Sequence, residues 1–299
     1  MGITLYIGGQ SATTQGEKQD LGGYRCFTAA HARNYPETPT AIGLLDSGAF
    51  SDLPDERLTP EGALLRQLKW ESAASKKLGN TWVSHAIASY DLLIDEFWTG
   101  DRWLKRRWSI ADTEQAVDVT VDAAKYLASQ RQYLAPRYII LGCQGVDVEQ
   151  YYHCVMRVLD VAQDGDWIGL GGFSALGKIR SWLPVFYEVL HQCIPLIAAS
   201  PIRHVHIYGV LWEPALAPLL WMCHRYELTL SCDSSRPILD CTKPDPKRAG
   251  VKHSYWRSNV KYWQDKLDEI AASKFYREPQ RLHKQLTIFD LGESYALSK

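Results

Sequence analysis

Two aspartates stand directly after apolar runs that are typical of buried strands. Asp46 follows AIGLL in the segment LLDSGAFSD, and Asp233 follows ELTLSC. Each aspartate alone could be an ordinary turn or capping residue. Two carboxylates that face one pocket can perform glycosidic chemistry, in which one attacks the anomeric carbon and the other transfers a proton. We therefore treat Asp46 and Asp233 as a candidate catalytic pair.

Further groups suited to a flat ligand follow other apolar runs. Gly171 and Gly172 in GLGGFSALG would let the backbone approach a planar ring, although a tight turn would use the same residues. Gln144 in LGCQG could bind the edge of a nucleobase, or it could be a satisfied turn residue. Asp95 in YDLLIDE could accept hydrogen bonds from a guanine-type N–H pair, or it could be an acid at a helix N-terminus.

Strand-like and helix-like patterns alternate along the chain and would position these groups. Short apolar, β-branched runs are candidate strands at 3–9, 41–48, 81–96, 138–145, 166–173, 204–210 and 227–235. Segments with apolar residues three or four positions apart lie at 64–78, 113–129, 148–162, 179–198 and 214–226. Such alternation predicts parallel strands joined by right-handed crossovers. The fold is then a doubly wound sheet, or an eight-stranded barrel with one strand still unidentified.

The ends of the candidate strands favour the barrel, because nearly all carry a polar or glycine cluster. In a (β/α)8 barrel all these ends converge on one mouth, whereas in a doubly wound sheet they spread along an edge. We predict an α/β fold, a (β/α)8 TIM-type barrel over residues 1–240. A Pro/Lys-rich loop and a helical pattern over 255–272 predict a basic C-terminal helix and tail, residues 241–299, packed on the barrel or extending from it.

Composition indicates an ordinary globular protein. The 299 residues are 46% hydrophobic and 22% charged, and no apolar run is long enough to cross a membrane. Seven cysteines without a CxxC pair favour a reducing compartment, so we expect a cytoplasmic protein with no membrane partner. No cysteines and histidines have zinc-site spacing, and we expect no metal and no cofactor.

Basic residues are concentrated in two ranges, 101–108 and 236–284, although the net charge of the chain is only −1. Between residues 236 and 284 the chain has twelve Lys and Arg against six Asp and Glu. Cations interleaved with aromatic residues can contact phosphates and stacked bases, or they can belong to solvated helices whose aromatic residues pack on the barrel. The candidate nucleic-acid contacts are Arg102, Lys105, Arg106, Arg107, Arg236, Lys247 and Arg248.

Five of these segments, in order over roughly residues 40–237, resemble motifs of the tRNA-guanine transglycosylases. LLDSGAF resembles their Asp-Ser-Gly-Gly-Phe motif, and LIDE resembles their Phe-Asp-Glu-Cys motif. CQG resembles their base-reading Gln-Gly, and GLGGFSALG resembles the Gly-Gly-Leu segment under the base. HVHIYGV followed by LSCDSSRP resembles the glycine strand and the nucleophile strand.

The resemblance implies a (β/α)8 barrel that exchanges guanine for a 7-deazaguanine without a cofactor. Asp233 would be the nucleophile that forms a covalent glycosyl intermediate, and Asp46 would be the general acid/base. Phe173 would lie under the base in place of the usual leucine. The full set of implied base-binding residues is Ser47, Gly48, Phe50, Asp95, Gln144, Gly171, Gly172 and Phe173.

Several departures from that family point away from tRNA. Ala49 replaces the second glycine of the first motif, Phe97 replaces the cysteine of the second, and the zinc-binding Cys/His cluster after the nucleophile is absent. The sequences of the motifs resemble more closely those of the DpdA family, which inserts 7-deazaguanines into DNA. We therefore predict a DNA substrate and a base such as 7-cyano-7-deazaguanine. Alternatives are tRNA as substrate, hydrolysis instead of exchange, and a non-catalytic subunit that binds a purine or nucleic acid.

The tail contains one further motif. QLTIFDL, from Gln285 to Leu291, resembles peptides that dock on bacterial sliding clamps. It predicts a sliding clamp as a partner. Alternatively, its apolar residues pack back on the barrel.

Overall fold

Eight parallel strands close into a barrel whose neighbours follow chain order, with the last strand pairing with the first. The structure, a computed structural model of the chain, describes residues 2–8, 23–30, 35–36, 38–52, 57–92, 96–98, 103–105, 109–173, 182–238 and 256–273. The strands are β1 (Ile3–Ile7), β2 (Gly23–Thr28), β3 (Ala41–Asp46), β4 (Ala86–Ala88), β5 (Glu96–Trp98), β6 (Trp103–Lys105), β7 (Tyr138–Cys143), β8 (Trp167–Leu170), β9 (His204–Ile207) and β10 (Thr229–Ser234). All except β5 and β6, which form an antiparallel hairpin, belong to the barrel.

From β3 onward the helices alternate with the barrel strands, and together with the closed parallel barrel this confirms the predicted (β/α)8 fold. They are α1 (Pro60–Lys77), α2 (Ile110–Ser129), α3 (Arg131–Leu134), α4 (Val148–Leu159), α5 (Leu183–Ala199), α6 (Glu213–Arg225) and α7 (Trp256–Ala272). Local sequence sets their starts: Thr59, Ser109 and Asp147 each accept a first-turn backbone N–H at the N-cap. No helix in the described ranges is both long and apolar enough to cross a lipid bilayer.

The strand that the sequence did not reveal is β2, which pairs with β1 and β3. Its sequence, GYRCFT, contains a glycine and an arginine, so it lacks the continuous apolar run of its neighbours. Arg25 is nevertheless buried, and its Nε donates to the Ile7 carbonyl at 3.1 Å. The predicted strand over 81–96 was too long, since only Ala86–Ala88 enters the barrel and Glu96–Trp98 belongs to the hairpin.

Side chains fill the barrel interior, so the fold encloses a packed core. The large rings of Tyr6 and Trp167 pack in one cluster with the small residues Ala86 and Ala88, and Leu44 and Ile140 complete this inner cluster. A second, larger core lies between the strands and the surrounding helices. These two layers hold the strand ends, and therefore the mouth, in fixed positions.

Helix α7 covers the barrel beside α6 and β1. Leu267 and Ile270 are buried in the outer core, and Trp263 packs against it. Asn259 donates from Nδ2 to the Pro237 carbonyl at 3.4 Å. Trp263, one aromatic residue of the basic C-terminal stretch, therefore packs on the barrel.

Candidate active site

The barrel brings Asp46 and Asp233 to the same mouth. Asp46 ends β3 and Asp233 lies near the end of β10, and β1 and β2 separate the two strands. Strands of such a barrel are staggered by about one residue per strand, which brings the two carboxylates to similar height. They are close enough for the Asp233 charge to raise the pKa of Asp46.

A tight turn fixes Asp46 at the mouth. Asp46 Oδ2 accepts from the Gly48 backbone N–H at 3.1 Å, and Ser47 Oγ accepts from the Ala49 N–H at 3.3 Å. Gly48 has φ of 80°, a left-handed conformation that favours glycine. A Cβ on Gly48 would also lie 2.9 Å from the Ala30 Cβ. The turn after β3 therefore requires glycine for both conformation and space.

Helix α1 braces this turn from outside the barrel. Arg66 donates to the Ser47 carbonyl at 2.6 Å and to both carboxylate oxygens of Asp52, at 2.6 and 3.0 Å. Tyr90 donates its hydroxyl proton to Asp52 at 2.8 Å. Gln67 is buried and donates to the carbonyls of Leu45 and Ala88, at 3.2 and 2.9 Å, where β3 and β4 end. These contacts hold Asp46 on a rigid support, as positioned catalytic groups require.

The environment of Asp46 makes it a proton donor and acceptor near neutral pH. Burial, and then the charge of Asp233, raise the pKa of Asp46 to about 6. Hydrogen bonds from the Gly48 and Ser47 backbone and the nearby His206 oppose this shift. A carboxyl in this range can give up and recover a proton during a reaction cycle.

Asp233 is held by two donors on the neighbouring strand segment. Its Oδ1 accepts from the Gly209 backbone N–H at 2.9 Å and lies 3.2 Å from His206 Nε2. The side chain of His206 is fully buried, whereas that of Asp233 is 17% exposed. One carboxylate oxygen is therefore fixed by the protein, while the side chain as a whole retains access to the mouth.

Tyr208 lines the interior of the barrel just below the mouth. A Cβ on Gly169 would lie 2.5 Å from Tyr208 Cε2, so the ring lies directly against that glycine. The phenol oxygen is buried and has no hydrogen-bond partner among the described residues. Burial raises the pKa of the phenol well above its ordinary value, and three carboxylates add to the shift: Asp46, Asp91 and Asp233.

Gln144 lies beside Gly172 near the mouth and is buried. Its Nε2 donates to the Leu92 carbonyl and to Thr120 Oγ1, both at 2.6 Å. Its Oε1 is buried without a partner among the described residues. The protein thus occupies the amide donors of Gln144 and leaves its buried acceptor without a partner among the described residues.

The prediction for Phe173 is wrong, because its ring points away from the mouth. Phe173 is fully buried and stacks on Tyr151 and Trp182, with ring centroids 5.2 and 5.4 Å apart. Phe186 meets it edge-on at 4.8 Å. After the Gly171–Gly172 turn the chain leaves the barrel interior, so this aromatic residue joins the core between strands and helices.

The remaining predicted base-binding residues differ in their surroundings. Phe50 follows the Asp46 turn and is 42% exposed, while the Ser47 hydroxyl is used within the turn itself. Asp95 lies outside the described residues. Asp91, from the same YDLLIDE segment, is the acid that contributes to the electrostatics around Tyr208.

Of the predicted nucleic-acid contacts, Arg236 is the one whose side chain the structure describes. It is half-buried just after β10, and its backbone N–H donates to Ser234 Oγ at 3.1 Å. The backbone of Lys105 lies in β6, and the β5–β6 hairpin lies beside Ala49–Ser51, next to the Asp46 turn. The other predicted contacts, and the segment Gln285–Leu291, lie outside the described residues: Arg102, Arg106, Arg107, Lys247 and Arg248.

Sequence reasoning missed His206 and Tyr208 as site residues. A usable signal was present, because polar or aromatic residues alternate with apolar ones in HVHIYGV and TLSCD, and alternate residues of a barrel strand point inward. Among the residues that the structure describes, no three His, Cys, Asp or Glu side chains are grouped so as to hold a metal ion.

No protein-family model matches the chain, and no curated protein matches it. Among solved structures, the chain is similar to a crystal structure of a protein assigned as a fructose-1,6-biphosphate aldolase from Coccidioides immitis. The identity is 9%, the TM-score is 0.41, and the match covers 81% of this chain and 74% of the other.

The requirement for glycine at position 48 can be tested with a matched pair of variants. Gly48→Ala and Gly79→Ala both place alanine at positive φ, 80° and 76°, but a Cβ at Gly79 has no neighbour within 4 Å. We expect Gly79→Ala to lose about 1–2 kcal/mol of unfolding free energy, and Gly48→Ala about 1–3 kcal/mol more, from overpacking. Urea denaturation measures both, and equal losses would contradict a tightly packed turn.

The raised pKa of Asp46 predicts a specific dependence of stability on pH. Because the folded state holds this proton more tightly than the unfolded chain, stability due to Asp46 is present below pH 3.8 and is lost as pH rises to about 6. Asp46→Asn should remove this loss and raise the unfolding free energy at pH 7 by up to about 3 kcal/mol. Exposed Asp164→Asn is the control; urea midpoints that change alike in both variants would contradict the prediction.

Proposed function

We propose that this protein is a base-exchange enzyme, a transglycosylase that replaces guanine in DNA by a 7-deazaguanine. The observation that carries the proposal is the pair of coupled carboxylates at the mouth, placed in unlike surroundings. Asp46 has a pKa of about 6, as suits an acid/base, whereas Asp233 is oriented by two hydrogen-bond donors, as suits a nucleophile. The sequence resemblance to the transglycosylases assigns the same two roles.

In the first half-reaction, a carboxylate oxygen of Asp233 attacks C1′ of the target nucleotide. The C1′–N9 bond breaks, its electron pair goes to the departing guanine, and Asp46 in its protonated form supplies a proton to that base. A glycosyl ester on Asp233 results. Oδ1 is held by Gly209 and His206, so the other oxygen, Oδ2, is the one we assign to the attack.

In the second half-reaction, the 7-deazaguanine replaces the guanine in the same pocket. Asp46, now ionised, takes a proton from N9 of the incoming base, which attacks C1′ and displaces Asp233. The proton given to guanine is thereby recovered, and the cycle closes with no net change on the enzyme. Exchange of bases, instead of hydrolysis, requires that water stay out while the ester persists.

The groups around the carboxylates suit a purine-like ring. Gln144 offers its Oε1 to a ring N–H, and Gly172 beside it allows close approach of a planar ligand. The Tyr208 phenol offers a second polar group near both carboxylates. Guanine and 7-deazaguanine share the N–H groups of the pyrimidine ring, so one such pocket can accept both.

DNA is the substrate that the sequence favours. The motifs are closest to those of the DpdA family, and the Cys/His cluster of the tRNA enzymes is absent after Asp233. The target base must leave the duplex to reach the mouth, at about a few kcal/mol. We assign backbone contacts to the basic residues near the hairpin and after β10, and a sliding-clamp contact to Gln285–Leu291. A cytoplasmic location fits the six described cysteines, all of which are free.

The decisive test is detection of the covalent intermediate by intact mass. Wild-type protein, Asp233→Ala and Asp46→Asn are each incubated with guanine-containing DNA, with and without 7-cyano-7-deazaguanine. We expect a protein–DNA adduct in the wild type, none in Asp233→Ala, and a rate of adduct formation about a hundredfold or more lower in Asp46→Asn. Nucleoside analysis should find the deazaguanine in the DNA.

The same assay separates the alternatives. Incorporation into tRNA but not into DNA would overturn the choice of substrate and keep the chemistry. Abasic sites without incorporated base would indicate hydrolysis. The absence of adduct and product with both nucleic acids would contradict the proposal and favour a binding subunit.

A further inference from the structure

A chain of polar side chains runs from Asp233 inward through the barrel. The residues His204 and His206 on β9 pair in register with Thr229 and Ser231 on β10. His206 Nδ1 lies 2.8 Å from Ser231 Oγ, which lies 2.6 Å from His204 Nε2, and His204 Nδ1 lies 2.7 Å from Thr229 Oγ1. Together with the His206–Asp233 bond, these contacts form one continuous path, here called the polar column.

The number of protons available in the polar column decides in which direction its hydrogen bonds are donated. Ser231 has a single hydroxyl proton but touches two imidazoles, so it donates to one and accepts from the other. If Ser231 donates to His206 Nδ1, a neutral His206 carries its proton on Nε2 and donates to Asp233. Ser231 must then accept from His204 Nε2. In the reverse direction His206 donates from Nδ1 to Ser231, and its Nε2 can donate to Asp233 only from a doubly protonated ring.

The contacts of His204 and Thr229, at the end of the column away from Asp233, permit donation toward Asp233. His204 can donate from Nε2 only if its Nδ1 accepts, and the nearest donor is the Thr229 hydroxyl at 2.7 Å. That hydroxyl also lies within donating distance of the Arg203 carbonyl, at 3.0 Å, and gives up this bond when it donates to His204; the carbonyl keeps the Thr229 backbone N–H at 2.9 Å. Burial lowers the pKa of His204 to about 3, so its ring is neutral and has one proton to donate.

Packing keeps the imidazole rings in place and largely out of water. His206 and Ser231 are fully buried. The edges of Tyr6 and Tyr208 meet the His206 ring, with centroids 6.1 and 4.8 Å away. Trp167 covers His204 with centroids 3.8 Å apart. With little room for solvent, the column partners decide which ring nitrogen of His206 carries the proton.

We infer that His206 is the positioning residue for Asp233, and that Ser231, His204 and Thr229 hold it in the tautomer that donates from Nε2. The role in catalysis rests on the proposed function, in which Asp233 is the nucleophile. With one oxygen bound to both Gly209 N–H and His206, the Asp233 carboxylate cannot rotate freely, and its second oxygen stays directed into the mouth.

The tautomer can be measured without any enzymatic activity. Long-range proton–nitrogen NMR on the full chain with ¹⁵N-labelled histidine distinguishes Nε2–H from Nδ1–H rings, and the His206 signals are assigned by their loss in His206→Gln. We expect His206 to be Nε2-protonated in the wild type and to lose this tautomer in Ser231→Ala. An Nδ1–H ring or a doubly protonated ring in the wild type, or a tautomer unchanged in Ser231→Ala, would overturn the inference.

Kinetics then test the positioning role. His206→Phe keeps a ring in the core but removes the donor, and we expect adduct formation to slow about a hundredfold with KM for the DNA unchanged. His206→Gln, which keeps an N–H donor, should recover part of the rate, and Ser231→Ala should slow it less. A full-rate His206→Phe would overturn the inference.

Ser89→Ala is the matched control, because Ser89 is also a buried hydroxyl between barrel strands, and it binds the Gly142 N–H at 2.9 Å. It should keep the wild-type rate of adduct formation despite some loss of stability. If the wild type forms no adduct, the proposed function fails, while the tautomer measurement still decides the inference about the column.

Discussion

The interaction on which the site depends is the repulsion between the carboxylates of Asp46 and Asp233. Two negative charges in a partly buried mouth disfavour simultaneous ionisation, so the protein must give the two groups different surroundings. It does so by desolvating the half-buried Asp46 and by giving Asp233 an imidazole and a backbone N–H. The repulsion raises the affinity of Asp46 for a proton, and the two donors keep Asp233 oriented as an acceptor.

The rest of the barrel maintains this asymmetry. Arg66 and Gln67 of α1 fix the turn that carries Asp46, and the polar column supports Asp233 from below. Tyr208 fits beneath the mouth only because Gly169 has no side chain. A closed barrel suits such a site because its strands cannot slide independently, and small displacements of either carboxylate would change their coupling.

The sequence predicted those features of the fold that depend on the pattern of apolar and polar residues along the chain. Buried parallel strands have apolar runs and their ends meet at one mouth, so the barrel and the placement of Asp46 and Asp233 at that mouth could be predicted. Strand β2 could not, because a buried arginine bonded to a neighbouring carbonyl interrupts its apolar pattern. The position of Phe173 was predicted wrongly, since motif order does not show which side of a strand end a side chain takes. The polar column depends on register between β9 and β10, which no single strand reveals.

Direct titration of the Asp46 carboxyl tests the central claim, that two coupled carboxylates are held in unlike states. Carboxyl ¹³C NMR of aspartate-labelled protein, with Asp46 assigned by its loss in Asp46→Asn, gives the midpoint in the wild type and in Asp233→Asn. We expect a pKa of about 6 in the wild type. In Asp233→Asn it should be lower, because the neighbouring charge is gone, yet still above the ordinary value because Asp46 remains buried. A midpoint unaffected by Asp233→Asn, or an ordinary carboxyl pKa in the wild type, would contradict the coupling.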